Sequence, residues 1–373
     1  MGKKLILGVT LGGSSRLLDG QASYFRKLGY DVYLISEDHY KERIFCEKEG
    51  IKHLPVDIVA DINPLKDLKT LFQIIKHFRT IKPDIVNLGT PKMALLGLIA
   101  ARLLGIKKRI YTCRGLRFET EKGILRKILI IIERITVNMA YKVVYVSPSL
   151  LTAAGNYKVL DNVKSIVLTS SNGVNIEAFD KLKINQDEVN QLKIKYGLKD
   201  CLVIGFVGRI TRDKGVYELV NVFEDLYKKY HNLKLIMMGH IKCDKIFEHR
   251  FRSHPGIIHI PFQDNVPLHM SLFDIFVLPS WREGFPNVPI QAAALGLPVV
   301  VSDATGCIDS VNKDINGLVF KTRDKKSLYN ALGLYIENKE LRIKHGQEGI
   351  KWAQGFSQIS IWNKIHHVYL SCY

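Results

Sequence analysis

Two stretches of this 373-residue chain gather side chains suited to a charged, hydroxyl-rich ligand. In Gly208-Arg-Ile-Thr-Arg-Asp-Lys-Gly215, a glycine lets backbone approach a ligand, and a helical pattern follows at Tyr217, Leu219, Val220, Phe223 and Leu226. Arg209 offers a planar fork of donors and Lys214 a point charge. With a helix N-terminus behind them they suit a diphosphate. Taken alone, an ordinary strand-to-helix loop with solvated charges would look the same. The second stretch, Pro279-Ser-Trp-Arg-Glu-Gly-Phe-Pro-Asn-Val-Pro-Ile-Gln-Ala-Ala-Ala294, passes from turn chemistry into a helix start. Glu283 and Gln291 stand eight apart with Gly284, Phe285 and Asn287 between them. A carboxylate, backbone N–H groups and a carboxamide supply the mixture of acceptors and donors that sugar hydroxyls need. The competing reading is a helix cap in which Glu283 pairs with an arginine such as Arg282.

Both stretches follow apolar runs that read as strands, where open parallel sheets hold their ligands. Short β-branched runs begin at Leu5, Val32, Ile85, Arg109 and Val143, separated by longer amphipathic segments. Leu68, Leu71, Phe72, Ile75 and Phe78 have helical spacing, and Pro83 ends it, which predicts a helix over 67–82. After the polar stretch 180–200 the design restarts, with runs at Leu202, Leu233, Ile257, Ile275 and Pro298. Alternating strand and helix patterns predict parallel sheets. The expectation is two Rossmann-like α/β domains, residues 1–175 and 185–355, with a C-terminal helical segment at about 356–373 that can pack back on the first.

Composition narrows the function classes. A hydrophobic fraction of 47% is enough for two cores. The six cysteines form no Cys-x-x-Cys pair or metal-ligand cluster and read as thiols of a reducing compartment. Met1-Gly-Lys-Lys runs directly into Leu5–Val9, too short for a secretory segment, so the expected location is cytoplasmic. The formal charge is +18, from 54 Lys and Arg against 36 Asp and Glu, which favours an anionic partner. From Lys107 to Lys127 eight basic residues face two glutamates, just ahead of the apolar run Ile128–Ile132. Basic and apolar residues together dock at anionic bilayers. Alternatively Ile124, Leu125, Ile128, Leu129, Ile131, Ile132 and Ile135 are helix core. The basic residues are spread through two α/β patterns with no nucleic-acid module, so nucleic acid is not the expected partner.

The two loops, with Ser171-Asn-Gly-Val-Asn175, Phe179, Gly296-Leu-Pro298-Val and Asn316-Gly-Leu-Val319, closely resemble the retaining glycosyltransferases of family four. That resemblance implies a GT-B fold, with two Rossmann-like domains facing across a cleft, the first on the acceptor side and the second holding a nucleotide sugar. It implies that Arg209 and Lys214 hold the donor diphosphate near Gly208, and that Glu283 touches the donor sugar beside the backbone of Gly284, Phe285 and Pro286, with Asn287 close by. Gln291 stands where the family places a second glutamate at the nucleotide ribose; a carboxamide still binds hydroxyls there. Phe262 and Gln263 occupy the base-reading position. Thr10-Leu-Gly-Gly-Ser14 resembles the glycine-rich loop that approaches donor phosphates or acceptor, through Gly13 and Ser14. Arg114 replaces a histidine that many relatives carry. Arginine is no proton acceptor, so Arg114, with Arg117 close by, is read as binding an anionic group. Glu119 or Glu121 could orient an acceptor hydroxyl, or be merely solvated.

The implied reaction is sugar transfer with retention from a UDP-hexose or UDP-N-acetylhexosamine co-substrate to a saccharide on a polyprenyl diphosphate, in capsule, O-antigen or exopolysaccharide assembly. It is expected to run without metal or other cofactor at the inner face of the cytoplasmic membrane. A sugar-nucleotide epimerase or a noncatalytic partner keeps the same fold, and a nucleic-acid-binding protein is the rival from another class.

Overall fold

A computed structural model describes residues 2–59, 61–170 and 172–371. Cys46, Cys113, Cys201, Cys243 and Cys307 are free thiols; Ser171 and Cys372 lie outside the described residues. The chain divides into two units, residues 1–172 with 358–373, and residues 173–357.

The first unit is built on seven parallel strands, β1 Lys4–Gly8, β2 Asp31–Glu37, β3 Lys52–Val56, β4 Ile85–Gly89, β5 Lys108–Cys113, β6 Lys142–Tyr145 and β7 Ser165–Val167. Their order across the sheet is β3-β2-β1-β4-β5-β6-β7. The second unit has six, β8 Leu202–Val207, β9 Leu233–Met238, β10 Ile257–Ile260, β11 Ile275–Leu278, β12 Val299–Ser302 and β13 Gly317–Phe320, in the order β10-β9-β8-β11-β12-β13. The order reverses between β1 and β4 in one sheet and between β8 and β11 in the other. At each reversal successive helices diverge to opposite faces and leave a crevice beyond the strand ends.

Central strands are buried on both faces, as at β4, β11 and β12, so they read as predominantly apolar runs, with Asn87 in β4 and Ser302 at the end of β12 as buried polar exceptions. Three strands that the apolar runs do not announce, β3, β7 and β13, are edges. Strand β3 carries Pro55 and alternates in exposure, and β7 is three half-buried residues. Proline is tolerated where one side of the strand has no neighbour.

The expected helix over 67–82 is observed as Pro64–Ile81, capped by Asn63, whose side chain accepts from the Lys66 amide. The C-terminal helix Gln358–Leu370 belongs to the first unit. There Trp362 donates Nε1 to Asn172 at 2.8 Å and lies against Gly20 and the Tyr24 ring. Tyr369, fully buried, receives a 2.7 Å bond from Asn87 on β4.

The core reading of the apolar helix does not hold for most of its residues. Helix Gly123–Met139 buries Glu133, Thr136 and Val137, while Ile124, Leu125, Ile128, Ile131 and Ile135 are exposed, Ile124 at 74% and Ile131 at 54%. Glu133 accepts from the Tyr111 hydroxyl at 2.8 Å. Burial pushes its pKa up to about 7 against the bonds from Tyr111 and Cys113 that lower it.

Two outcomes follow. Trp362→Ala removes a buried aromatic and its bond to Asn172 and should cost about 3–5 kcal/mol, read as a lowered urea midpoint by circular dichroism. Folded Glu133 keeps a proton that an unfolded glutamate, titrating near 4.5, releases, so stability falls as pH rises from about 4.5 through 7. Glu133→Gln should therefore gain on the parent chain as pH rises from 5 to 8, by on the order of 3 kcal/mol above the window.

Candidate functional site

Because β8 and β11 are neighbours in the sheet, the loops that follow them, 208–215 and 279–286, emerge side by side. Lys214 donates Nζ to Glu283 Oε1, and Ser280 donates its hydroxyl to the same oxygen at 2.8 Å. Backbone joins the two loops where Trp281 N donates to Asp213 O, and Glu283 N donates to Thr305 O in the loop after β12, both at 2.9 Å. Gly215, at φ +69°, passes so close that a Cβ there would lie 1.9 Å from Pro279 O. Gly306, at φ +77°, is also tight: a Cβ there would lie 2.5 Å from Gly284 O and 2.6 Å from Glu283 O.

Arg209 stays exposed, with Asp213 3.9 Å away. Burial would raise the Asp213 carboxyl, but the Thr211 hydroxyl and the charges of Lys214 and Arg209 outweigh it and hold its pKa below the usual range. The alternative partner for Glu283 is excluded: its cation is Lys214 and not Arg282.

Other expected donor residues gather in this unit. Phe285 is buried against Phe356, ring centroids 5.5 Å apart, and Pro286 beside it is buried, whereas Gly284 is half-buried. Asn287 opens helix Asn287–Ala294 and donates to Gly173 O at 3.1 Å. Gln291 is half-buried one turn further on. Beyond β10, Phe262 stacks on His240 at 5.5 Å and 13°, and Gln263 donates to the neighbouring Pro261 carbonyl.

In the first unit the loop after β1 is pinned by carboxylates. Gly12 N donates to Glu37 at 2.7 Å and Ser15 N reaches Glu42 at 3.4 Å. Those amides are committed, so an anion there depends on side-chain cations. Gly13 takes φ +84°. Thr10 and Thr90, at the ends of β1 and β4, share a 2.7 Å hydroxyl contact. Thr90 holds φ +68°, a strained value for a β-branched residue.

A cavity of about 250 Å³ opens here and brings Ser14 and Arg117 together. Arg114 instead packs its guanidinium against Gly89 at the end of β4, and burial pushes its pKa down to about 10. Gly13, Arg114 and Glu119 are not part of the cavity wall. Among the described residues no group of three or more His, Cys, Asp or Glu forms a metal-ligand set, and no helix is long and apolar enough to cross a membrane.

With this geometry in place, comparison with known proteins is decisive. Residues 188–352 match the family model of glycosyl transferases group 1, and residues 13–147 match that of the glycosyl transferase 4-like proteins. The capsular polysaccharide biosynthesis glycosyltransferase CapM of Staphylococcus aureus is 34% identical over 376 residues, covering 98% of this chain and 97% of its own. The chain belongs to the group 1 glycosyltransferases. A UDP-Gal:α-D-GlcNAc-diphosphoundecaprenol α-1,3-galactosyltransferase of Escherichia coli is 24% identical, over 91% of this chain and 89% of that one. The crystal structure of Anabaena HepE in complex with UDP superposes with a TM-score of 0.81 at 19% identity, covering 99% of this chain and 100% of that one. That likeness shows the fold, which is GT-B.

Sequence reasoning named the charged residues of this glycosyltransferase's second unit but missed what holds them. Ser280 stood inside the quoted loop without a role, and its place three residues before Glu283 was the available signal. Asp213 and Thr305 carried no signal, since their part is played by backbone carbonyls. Gly215→Ala should separate the two loops, costing at least about 1–3 kcal/mol for the backbone strain alone. Urea unfolding checks it.

Proposed function

We propose that this glycosyltransferase moves a hexosyl or N-acetylhexosaminyl group from a UDP-sugar to a saccharide carried on a polyprenyl diphosphate, with retention of anomeric configuration, in surface-polysaccharide assembly. The observation that carries the reading is the paired loops at the β8/β11 reversal, which set an exposed Arg209, the Lys214–Glu283 pair and a helix start around one point.

As the bond from sugar C1 to the diphosphate oxygen breaks, negative charge grows on the leaving group. Cations already in place stabilise that charge more in the transition state than in the ground state. Arg209 and Lys214 have this role. Glu283, oriented by Ser280 and Lys214, accepts from hydroxyls of the donor sugar. Gln291 meets the ribose, and the Phe262 ring beside His240 offers the base a flat apolar face. The acceptor oxygen attacks on the face the diphosphate leaves, and its proton passes to a diphosphate oxygen. No residue of the chain then needs to act as a base, which accords with Gln291 standing where a carboxylate would and with Arg114, not histidine, in the first unit. The cations carry the leaving-group charge without a metal.

The acceptor side rests on charge. The first unit holds 29 Lys and Arg against 15 Asp and Glu, and the second 25 against 21, formal charges of +14 and +4. The exposed isoleucines of helix Gly123–Met139 lie in this cationic unit with Lys122 and Lys127 beside them. Such a surface suits the anionic inner face of the cytoplasmic membrane, where a lipid-linked acceptor resides. The E. coli relative's name specifies a diphosphoundecaprenol-linked acceptor and a UDP-Gal donor.

The experiment is transfer of labelled sugar from a panel of UDP-sugars to lipid-extractable product, with the anomeric configuration read by NMR. Arg209→Ala should lower kcat about 10²–10³-fold, and Arg209→Ala with Lys214→Ala should abolish thermal stabilisation by UDP. Stabilisation that survives in the double variant would remove the assigned diphosphate site. Binding to anionic vesicles should fall as salt rises, and Ile124→Ser with Ile131→Ser should weaken it at low salt.

A further inference from the structure

The first-unit cavity has features that sugar transfer alone leaves unused. Its volume, about 250 Å³, falls somewhat below the roughly 300–1,000 Å³ of sites enclosing a whole small molecule. Leu11, Ile62, Leu95, Leu96, Leu129 and Ile132 give its wall an aliphatic character. The ion pair in that wall, Lys92 with Asp67 at 2.7 Å, is closed on itself and leaves no net charge. Exposed Arg117 lines the same cavity, and among the described residues its guanidinium has no acidic partner. An aliphatic cavity beside an uncompensated cation matches a ligand with a hydrocarbon body and an anionic head.

The helix that supplies Leu129 and Ile132 extends the match. Successive helical residues are about 100° apart, so these two form a stripe directly beside exposed Ile128, Ile131 and Ile135. One helix thus carries an apolar stripe open to solvent and a neighbouring stripe that walls the cavity. A hydrocarbon chain in contact with the first reaches the second without crossing a polar surface.

We propose that the cavity takes the head-proximal isoprene units of an isoprenoid diphosphate, with Arg117 on its diphosphate. This rests on the lipid-linked acceptor reading and gives it a location: the enzyme holds the first carbons of the lipid as well as the sugar. Burying a few methylenes is worth more than about tenfold in affinity, so the contact bears on acceptor choice.

Isothermal titration of the full chain, its donor site first saturated with UDP, with farnesyl diphosphate and with inorganic diphosphate tests it. The farnesyl compound should bind at least tenfold more tightly. Ile132→Trp and Leu95→Trp, which fill the cavity from two different helices, should erase that advantage while stabilisation by UDP persists. Arg117→Gln should weaken both ligands. An equal affinity for the two ligands, or an advantage kept in filled variants that still respond to UDP, overturns the proposal. Lysophosphatidic acid competing as well as farnesyl diphosphate overturns its isoprenoid part. Should the filled variants not fold, a diazirine-bearing farnesyl diphosphate on the unaltered chain decides, with the labelled residue read by fragmentation: adducts on Leu95, Leu96, Leu129 or Ile132 support the cavity, and adducts confined to Ile128, Ile131 and Ile135 overturn it. Filled variants that glycosylate lipid-diphosphate saccharides at unchanged KM sink the cavity and leave the acceptor reading standing. An unaltered enzyme that glycosylates only water-soluble saccharides sinks both.

Discussion

Lys214 and Glu283 are 69 positions apart in the chain and in direct contact in the fold. The contact exists because β8 and β11 are sheet neighbours although two strands intervene between them in sequence. Every strand in the sheet is parallel, so every loop at the carboxyl edge opens on the same side, and the reversal of strand order leaves these two with a crevice between diverging helices. The bond from Trp281 N to the Asp213 carbonyl and the tight passage at Gly215 both depend on that adjacency.

A half-buried lysine and glutamate facing each other satisfy both charges before any ligand arrives. Removing charges from water is costly, and a close partner offsets much of that cost. The pair can therefore stand in a partly desolvated place, where electrostatic interactions are stronger than at an open surface. Arg209 is exposed and only loosely opposed by Asp213. One of the two cations is thus held by its partner and the other is exposed.

The first unit solves a different problem. Its glycine-rich loop is anchored by Glu37 and Glu42, its Thr90 is held in a strained conformation, and its cations lie on side chains beside aliphatic surface. Helix Gly123–Met139 shows why an apolar pattern is ambiguous. The same isoleucine spacing serves a core or an exposed stripe, and here the inward face is given to Glu133, Thr136 and Val137. A glutamate at an inward position is unexpected from polarity; it is accommodated because Tyr111 and Cys113 donate to it and because burial favours its neutral form.

The amino-acid sequence by itself determined the two parallel-sheet units, since strands buried on both faces must be predominantly apolar, and it marked Arg209, Lys214 and Glu283 through their place just after such strands. It could not reveal the edge strands β3, β7 and β13, whose exposure dilutes the apolar signal, or the choice of Lys214 over Arg282 as partner of Glu283. Nor could it reveal that Arg117 and Ser14 share a cavity that Arg114 and Glu119 do not line. Those outcomes belong to tertiary structure, because each depends on which strands become neighbours and which face of a helix turns inward. Local composition constrains such choices only weakly, whereas packing of the whole chain decides them.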